Sequence, residues 1–261
     1  MTDIAESFPA GGWEFTPEVA DVFDEHVRAS VPFYEAIQNI VVETSDWLIP
    51  AGGLLADLGA STGTTVAAIL ARHPDREIRA ALYDEQASMI EKARKRLYDL
   101  RVPPARVSFH ERRVETGPLD HEDADLTTIL FTLQFLPIPD RQAVLAAAFE
   151  AAAPTGALLV AEKLRPVDSR WAEIATEASL DWKAAHGISA EAIRAKARAL
   201  RGVLIPFPLS TLTGLIVDAG WHTPEVLFRW HQWVVVGAFA LPPDLDPIGR
   251  QYGLARREND S

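Results

Sequence analysis

The chain has 261 residues, and its 48% hydrophobic and 24% charged residues are typical of an ordered globular protein. It contains no cysteine, which excludes disulfides, thiolate metal sites and a cysteine nucleophile. The net charge of −12 argues against a strongly basic nucleic-acid surface, and no apolar run approaches the roughly 18 residues of a membrane helix. These features predict a cytoplasmic protein without a metal site, a membrane contact or a nucleic-acid partner.

The predicted elements begin with helices between residues 13 and 47, where Pro32 marks a break. From residue 54 onward, short apolar runs alternate with helical periods, as in an open and mostly parallel α/β sheet. The predicted strands of this part are residues 54–58, 78–83, 107–111, 126–131 and 157–162. The predicted helices between them are residues 64–72, 88–100 and 141–153.

The last third of the chain predicts a helical pair and a hairpin. The pair lies between residues 168 and 204, with Gly187 at its turn. The hairpin strands, 226–230 and 233–239, are joined at His231 and Gln232 and would pair antiparallel at one edge of the sheet. The whole pattern predicts an α/β fold, namely a Rossmann-like, doubly wound, mostly parallel seven-stranded sheet with an antiparallel edge strand and helical cap insertions.

We expect a single domain over residues 1–261, divided into five segments. They are an N-terminal helical cap (13–47), a cofactor-binding core (54–163), a helical insertion (168–204), a C-terminal helix with the edge hairpin (205–240) and a loose tail (241–261).

The most informative segment follows the first predicted strand, where Asp57 is succeeded by Gly59, Ala60, Ser61 and Gly63. Glycines in a strand-to-helix turn let a nucleotide approach the backbone, and the following helix offers free N–H groups. A tight turn without any ligand is the alternative. The spacing is not the Gly-x-Gly-x-x-Gly of pyrophosphate-binding turns, so it favours an adenosine without phosphate, as in S-adenosylmethionine.

The second predicted strand supplies the context for this turn. It leads directly into Asp84, at the position from which a carboxylate can accept hydrogen bonds from both hydroxyls of a ribose. A solvated acid in a loop is the alternative, and the glycine turn that precedes Asp84 makes it the weaker one.

The turn and the acid closing the second strand resemble class I S-adenosylmethionine-dependent methyltransferases. Further segments between Gly12 and Phe239 make the resemblance more specific. They are Gly12-Trp13-x-Phe15, Val22-Phe23, Ser30-Val31-Pro32-x-Tyr34, Ala87-x-Met89-Ile90-Glu91, Phe131-Thr132-Leu133-Gln134-Phe135-Leu136, Arg141-Gln142-Ala143, Gly156-Ala157-Leu158, Glu162-Lys163 and Ala219-Gly220. Together they resemble the carboxy-S-adenosyl-L-methionine synthase family, which makes carboxylated S-adenosylmethionine from S-adenosylmethionine and prephenate for tRNA wobble-uridine modification.

The resemblance implies a set of cofactor-binding residues. Tyr34 matches the family's ligand-contacting tyrosine in the N-terminal cap. The Gly59-Ala60-Ser61 turn matches a Gly-Cys-Ser turn, and Asp84-Glu85 matches an Asp-Asn pair at the ribose. With Asp57, Gly63 and Phe131, these residues form the expected cofactor site, which also includes Arg113 and Leu130.

Three positions depart from the family pattern. Arg113 stands where the family has an Asp for the adenine edge, and Leu130 aligns with an Asn. Leu215 aligns with the arginine that binds the extra carboxylate of the carboxylated cofactor. A desolvated carboxylate without a charge-assisted partner costs several kcal/mol. Leu215 therefore argues for ordinary S-adenosylmethionine, unless Arg201, Arg198 or Arg113 reaches the site from another direction.

The predicted function is therefore transfer of a methyl group from S-adenosylmethionine to a small-molecule acceptor. A carboxy-S-adenosyl-L-methionine synthase that uses prephenate and a non-catalytic S-adenosylmethionine-binding subunit are the alternatives. A homodimer is expected, because the resembling family forms oligomers.

Tyr34 and Glu162 are the predicted catalytic residues, although methyl transfer can proceed by positioning alone. For the adjacent pair Glu162 and Lys163, a structural ion pair and a substrate contact are both open. The basic run from Arg194 to Arg201 is expected to be a solvated helix face, with binding of an anionic substrate or of RNA as the alternative.

Overall fold

The computed structural model describes residues 10–241, so nearly all of the predicted tail lies outside the described residues. Seven strands form one sheet: β1 (Leu54–Leu58), β2 (Arg79–Asp84), β3 (Val107–Glu111), β4 (Ala124–Leu130), β5 (Ala152–Lys163), β6 (His222–Trp230) and β7 (Trp233–Phe239). Eight helices of the described chain accompany them: α1 (Pro17–Ser30), α2 (Tyr34–Leu48), α3 (Thr64–Arg72), α4 (Ala87–Asp99), α5 (Arg141–Glu150), α6 (Ser169–Ala185), α7 (Ala190–Ala199) and α8 (Leu209–Asp218).

The sheet has the spatial order β3-β2-β1-β4-β5-β7-β6. Neighbouring strands from β3 to β5 run parallel, and β7 lies antiparallel between β5 and β6. The order in which consecutive strands are added to the sheet therefore reverses between β1 and β4, and open α/β sheets bind ligands at such a point. The predicted Rossmann-like fold is confirmed, with β6 rather than β7 at the outer edge.

Buried apolar residues explain why these segments form the central strands. All five positions of β1 are buried, as expected of a parallel strand covered on both faces. Two large core clusters include its residues, one containing Leu54 and Leu58 and the other containing Leu55. The residues at the ends of these strands are therefore attached to a core that is packed on both faces of the sheet.

The N-terminal helices form where the sequence predicts them. Thr16 caps α1, because its side chain accepts a hydrogen bond from the Val19 amide at 3.4 Å, and Pro17 occupies the first helical turn. The break at Pro32 is confirmed, since α1 ends at Ser30 and α2 begins at Tyr34. Gly187 has a φ of 83° between α6 and α7, as predicted for the turn of that pair.

The predicted helix over residues 141–153 is wrong at its end. The helix stops at Glu150, and β5 begins at Ala152, which pairs with Ala124 of β4. Alanine favours a helix, but hydrogen bonding to a neighbouring strand outweighs a propensity difference of less than about 1 kcal/mol per residue. Strand β4 also ends one residue before the predicted end, because Phe131 has a φ of 58° and leaves the strand.

Candidate active site

A cavity of about 610 Å³ lies at the carboxyl ends of the central strands. Residues that follow β1, β2 and β4 line it together with residues of α1, α6 and α7. This volume falls within the usual range of about 300–1,000 Å³ for small-molecule sites. The cavity therefore occupies the place that the topology of the sheet predicts.

The turn after β1 brings backbone close to this cavity. The Gly59 and Ala60 amides both donate to the Tyr83 carbonyl at 2.8 Å, which binds the turn to β2. Gly59 has a φ of 83°, and a Cβ atom there would overlap the Thr132 side chain. Only glycine fits this position without displacing the neighbouring loop.

Asp84 holds the next part of the turn in place. Its Oδ2 accepts from the Ser61 amide at 2.9 Å, and its Oδ1 accepts from the Gln86 amide at 3.0 Å. Burial raises the pKa of Asp84, and these two backbone hydrogen bonds act in the opposite direction. Each carboxylate oxygen keeps a second lone pair, so Asp84 can still accept hydrogen bonds from a ligand on the cavity side.

Asp57 lies deeper, at the end of β1. Its Oδ1 accepts from the Thr128 hydroxyl at 2.8 Å, and burial raises its pKa to about 7, with a further contribution from Asp84. The two acids give this part of the cavity a negative character that suits a cationic ligand.

Three aromatic side chains form another part of the wall. The Phe131 ring centroid lies 6.2 Å from that of Tyr34 and 5.9 Å from that of Trp233. Tyr34 is buried, and burial raises the pKa of its phenol, so the hydroxyl stays protonated at neutral pH. Tyr34 can therefore donate a hydrogen bond into the cavity.

The structure brings most of the predicted site residues to one cavity. Those that line it are Tyr34, Asp57, Gly59, Ala60, Ser61, Asp84, Glu85, Arg113, Leu130 and Phe131. Arg113 is exposed and pairs with Glu115 at 2.6 Å and with Glu85 at 3.7 Å. Gly63 is not on the wall, because it packs against Ala93 at the start of α3.

Glu162, the second predicted catalytic residue, does not reach the cavity. Its side chain is buried and accepts from the Gln134 amide at 3.0 Å, while Lys163 on the opposite face of β5 lines the cavity. The two residues are therefore not an ion pair. Burial raises the pKa of Glu162 to about 8, although Arg141 and backbone amides oppose this shift. Glu162 therefore holds the loop that follows Phe131, and its side chain lies outside the lining of the cavity.

The structure adds residues that the sequence did not indicate. Thr62 donates to Asp24 of α1 at 2.6 Å, and Arg96 of α4 donates to both Asp24 and Thr64. These hydrogen bonds attach α1 to the glycine turn. Because 38 residues separate Asp24 from Thr62, only the tertiary structure could reveal the contact.

Basic residues of the insertion also reach the cavity. Lys183 of α6 lines it together with Thr176, Ser179 and Leu180, which lie on one face of the helix. From the basic run near α7, Lys196 and Arg201 line the cavity, whereas Arg194 and Arg198 are exposed and do not. The expectation of a wholly solvated helix face is therefore wrong.

Leu215 lies on α8, outside this cavity. Its side chain packs against the core and lines a separate small pocket with Arg141, Glu162 and Phe207. Within this chain, Leu215 therefore does not decide whether the cavity binds an anionic group, and the argument from Leu215 for ordinary S-adenosylmethionine does not hold.

Comparison with known proteins relates this chain to methyltransferases, both by its sequence and by its fold. A sequence profile for methyltransferase domains matches residues 55–156. The curated carboxy-S-adenosyl-L-methionine synthase of Shewanella amazonensis is 32% identical over 219 residues, which cover 84% of this chain and 89% of that protein. The chain belongs to the carboxy-S-adenosyl-L-methionine synthase family. The corresponding synthase of Haemophilus ducreyi is 29% identical over 221 residues, 84% of this chain and 88% of its own.

Solved structures show the same fold for this family member. An O-methyltransferase family protein from Burkholderia thailandensis superposes with a TM-score of 0.60 at 20% identity, over 85% of this chain and 60% of its own. Human N-acetylserotonin methyltransferase, solved with S-adenosylmethionine, has a TM-score of 0.58 at 15% identity over 86% of this chain and 55% of its own. The chain thus spans less than two thirds of the length of these neighbours.

The family member is an S-adenosylmethionine-dependent enzyme of the methyltransferase class, and S-adenosyl-L-methionine is its cofactor. The residues present fit that group. Asp84 has lone pairs for the ribose hydroxyls, and Asp57 and Asp84 suit a ligand with a sulfonium and an ammonium group. The absence of a side chain at Gly59 leaves the backbone of the turn accessible from the cavity, because a Cβ there would overlap the Thr132 side chain. Within residues 10–241, no helix is long and apolar enough to cross a membrane.

Proposed function

We propose that this enzyme transfers the methyl group of S-adenosylmethionine to a small-molecule acceptor that shares the cavity with the cofactor. The observation that carries the proposal is the continuity of the cavity, which extends from Asp84 to side chains of α6 and α7. An acceptor beneath these helices would lie beside the cofactor and not in a separate site.

The protein's contribution to methyl transfer is mainly positioning. When bound, S-adenosylmethionine supplies a methyl group that is already electrophilic because it is attached to a sulfonium. Asp84 would hold the ribose, and Phe131 and Trp233 would exclude water beside the acceptor. Tyr34, whose phenol keeps its proton, would orient the acceptor by a hydrogen bond. Glu162 is a positioning residue, since it fixes the loop between β4 and α5.

A direct test is incubation of the purified chain with S-adenosylmethionine labelled at its methyl group and a panel of small organic acids, phenols and amines. We expect label in one acceptor class and an equal amount of S-adenosylhomocysteine. Absence of label in every acceptor, with the cofactor bound and intact, would contradict the proposal.

Carboxy-S-adenosyl-L-methionine synthesis from prephenate is the second candidate. It is favoured by the curated relatives, whose match covers 89% of the Shewanella amazonensis protein. Mass spectrometry of the cofactor after incubation with prephenate distinguishes the two reactions, because carboxylation adds one CO₂ to the cofactor. Such a gain in mass, with no methylated acceptor, would replace the first proposal.

The homodimer, the cytoplasmic location and the division into five segments stay predictions. Sedimentation velocity of the purified chain tests the first of these. A single species at the mass of one chain across micromolar concentrations would contradict the homodimer.

A further inference from the structure

The loop that follows β4, residues 131–136, forms part of the cavity wall. Its residues that line the cavity are Phe131, Thr132, Gln134, Phe135 and Leu136. Thr132 lies against the cofactor turn, since a Cβ atom at Gly59 would overlap its side chain. Further along the loop, the Phe135 ring contacts that of Phe15, which precedes α1, with 5.2 Å between the centroids. The position of this loop therefore affects the shape of the cavity beside the cofactor turn.

Phe131 begins this loop in a strained backbone conformation. Its φ of 58° lies in the left-handed region, which a bulky side chain rarely adopts. Its amide donates to the Ala161 carbonyl of β5 at 2.6 Å, and its ring contacts those of Tyr34 and Trp233. Such a conformation persists only where the surrounding structure holds it. Contacts that hold the loop are therefore needed to keep the Phe131 ring in the cavity wall.

The side-chain amide of Gln134 supplies such contacts. Gln134 is 3% exposed. Its Nε2 donates to the Phe131 carbonyl at 3.4 Å, and its Oε1 accepts from the Lys163 amide, at the end of β5, at 3.0 Å. An apolar side chain at this position would leave the Lys163 amide without this acceptor. One amide group thus joins the strained residue to the neighbouring strand.

The main chain of Gln134 binds two more segments. Its amide donates to Glu162 Oε2 at 3.0 Å, and its carbonyl accepts from the Ile205 amide at 2.8 Å. The same carbonyl accepts from Arg141 Nη2 at 3.2 Å, and Arg141 Nη1 donates to the Ile205 carbonyl at 2.8 Å. Ile205 directly follows the helical insertion, whose helix α7 lines the cavity. The end of the insertion is thus attached to the same residue as the aromatic wall.

We propose that Gln134 is a positioning residue, which holds the Phe131 ring beside the acceptor and couples its position to the end of the helical insertion. The inference rests on the proposed function, since it names the residue that sets the place of the acceptor relative to the cofactor turn. Gln134 acts through Phe131 and Ile205. A displaced ring would change the distance and angle at which an acceptor approaches the methyl group, and a misplacement of about 1 Å can cost about 100-fold in rate.

Hydrogen–deuterium exchange with mass spectrometry measures this coupling without turnover. The full chain is saturated with S-adenosylhomocysteine, and the variant Gln134→Leu keeps a side chain of similar size while it removes both hydrogen bonds of the amide. The matched control is Gln142→Leu, because Gln142 lies on α5 outside the lining of the cavity. We expect Gln134→Leu to raise the exchange of residues 131–136 and 203–207 about 10-fold or more, while the control exchanges like the wild type there.

The exchange of β1 separates positioning from a general loss of stability. It should stay within about 2-fold of the wild type in Gln134→Leu, because the loosened segments open locally while the core stays folded. Faster exchange throughout the sheet would show a general loss of stability and would overturn the proposal. Wild-type exchange of residues 203–207, with faster exchange of residues 131–136, would overturn the coupling to the insertion.

The variant Gln134→Glu tests whether the two hydrogen bonds carry the effect. A protonated carboxyl can accept from the Lys163 amide and donate to the Phe131 carbonyl, whereas an ionised one cannot donate. Each exchange rate is divided by that of the wild type at the same pH, because Glu162, Lys163 and the intrinsic rate of exchange also depend on pH. We expect wild-type protection at pH 5 and, at pH 8, the loss seen in Gln134→Leu. An equal loss at both pH values would contradict the role of these hydrogen bonds.

Turnover shows whether the position matters for the reaction. The assay uses the acceptor that the methyl-label test identifies, or prephenate if the cofactor gains CO₂. The kcat of Gln134→Leu should fall about 10-fold or more, while KM for S-adenosylmethionine should stay within about 2-fold because Asp84 and the cofactor turn are unchanged. Gln142→Leu should keep both values. An unchanged kcat in Gln134→Leu would overturn the positioning role.

Failure of the proposed function is separable from failure of this inference. A wild type that transfers no group to any acceptor would refute the proposed function. The exchange measurements need only the bound cofactor product, so they would still decide whether Gln134 couples the aromatic wall to the insertion. An active enzyme whose Gln134→Leu variant exchanges like the wild type would refute the coupling alone.

Discussion

The two parts of the cavity are constructed in different ways. The part between β1 and β2 carries Asp57 and Asp84 and is formed by a tight backbone turn. The part between β5 and α6 carries Lys163 and Lys183 and is formed by side chains from separate elements. Burial raises the pKa of both aspartates and lowers the pKa of both lysines. In both parts the protein holds ionisable groups in an environment that disfavours their charge.

The two parts therefore differ in how far the backbone fixes the position of their charged groups. The acidic part depends on backbone geometry, which tolerates few substitutions, and it suits a cationic cofactor. The basic part depends on two exchangeable side chains, so its preference can change without disturbing the sheet. We therefore expect the largest effects of mutation in the acidic part.

The Asp84→Ala variant should show the largest effect. Loss of hydrogen bonds from one carboxylate to two ribose hydroxyls costs roughly 4 kcal/mol, or about 1000-fold in affinity. Calorimetry with S-adenosylhomocysteine measures it. Asp99→Ala, at the end of α4 and outside the cavity, is the control and should bind normally. An affinity within a few-fold of the wild type would show that Asp84 only holds the turn.

Asp57 should make the stability of the unliganded protein depend on pH. Its pKa is raised from 3.8 to about 7, so the folded state binds more protons than the unfolded state in between, and stability falls as pH rises. Between pH 4 and 7 the loss from this group is about 3 kcal/mol. Urea unfolding measures this change. Between pH 4 and 7, the free energy of unfolding of Asp57→Asn should fall by about 3 kcal/mol less than that of the wild type. Equal slopes for the two proteins would contradict the assignment.

The turn itself is tested by a pair of glycine substitutions. Gly63 and Gly52 have φ values of 71° and 73°, but a Cβ at Gly63 would lie 2.9 Å from the Ala93 Cβ, whereas Gly52 has nothing within 4 Å. We expect Gly63→Ala to lower the free energy of unfolding by about 2 kcal/mol and Gly52→Ala by about 1 kcal/mol. Chemical denaturation measures both. Equal losses would mean that only backbone strain matters and that the packing against α4 does not.

The contact between α1 and the turn should have the smallest effect. Asp24→Ala removes the acceptor of Thr62 and Arg96 and should cost about 1 kcal/mol of stability. The matched change Asp21→Ala removes an exposed pair with Lys92 and should cost less than about 0.5 kcal/mol. If the two variants are equally stable, α1 is held by its apolar face and not by this hydrogen-bond network.

The turn, its acidic residues and most strands could be predicted because their signals are local. Strands β1, β3 and β7 begin and end where the apolar pattern places them, and Asp57 and Asp84 follow from their position at strand ends. The catalytic role of Glu162 could not be judged from sequence, since one step along β5 decides which face a side chain occupies.

The sequence by itself determined the fold class, the cofactor turn and the family, because hydrophobic period, glycine position and strand-end acids act over a few residues. Only the tertiary structure decided that Lys163 and Lys183 share a space, that Asp24 contacts the turn, and that Leu215 lies away from the cavity. The electrostatic potential of a pocket is the sum of contributions from residues that are far apart in the chain. Only folding brings these residues close enough to interact.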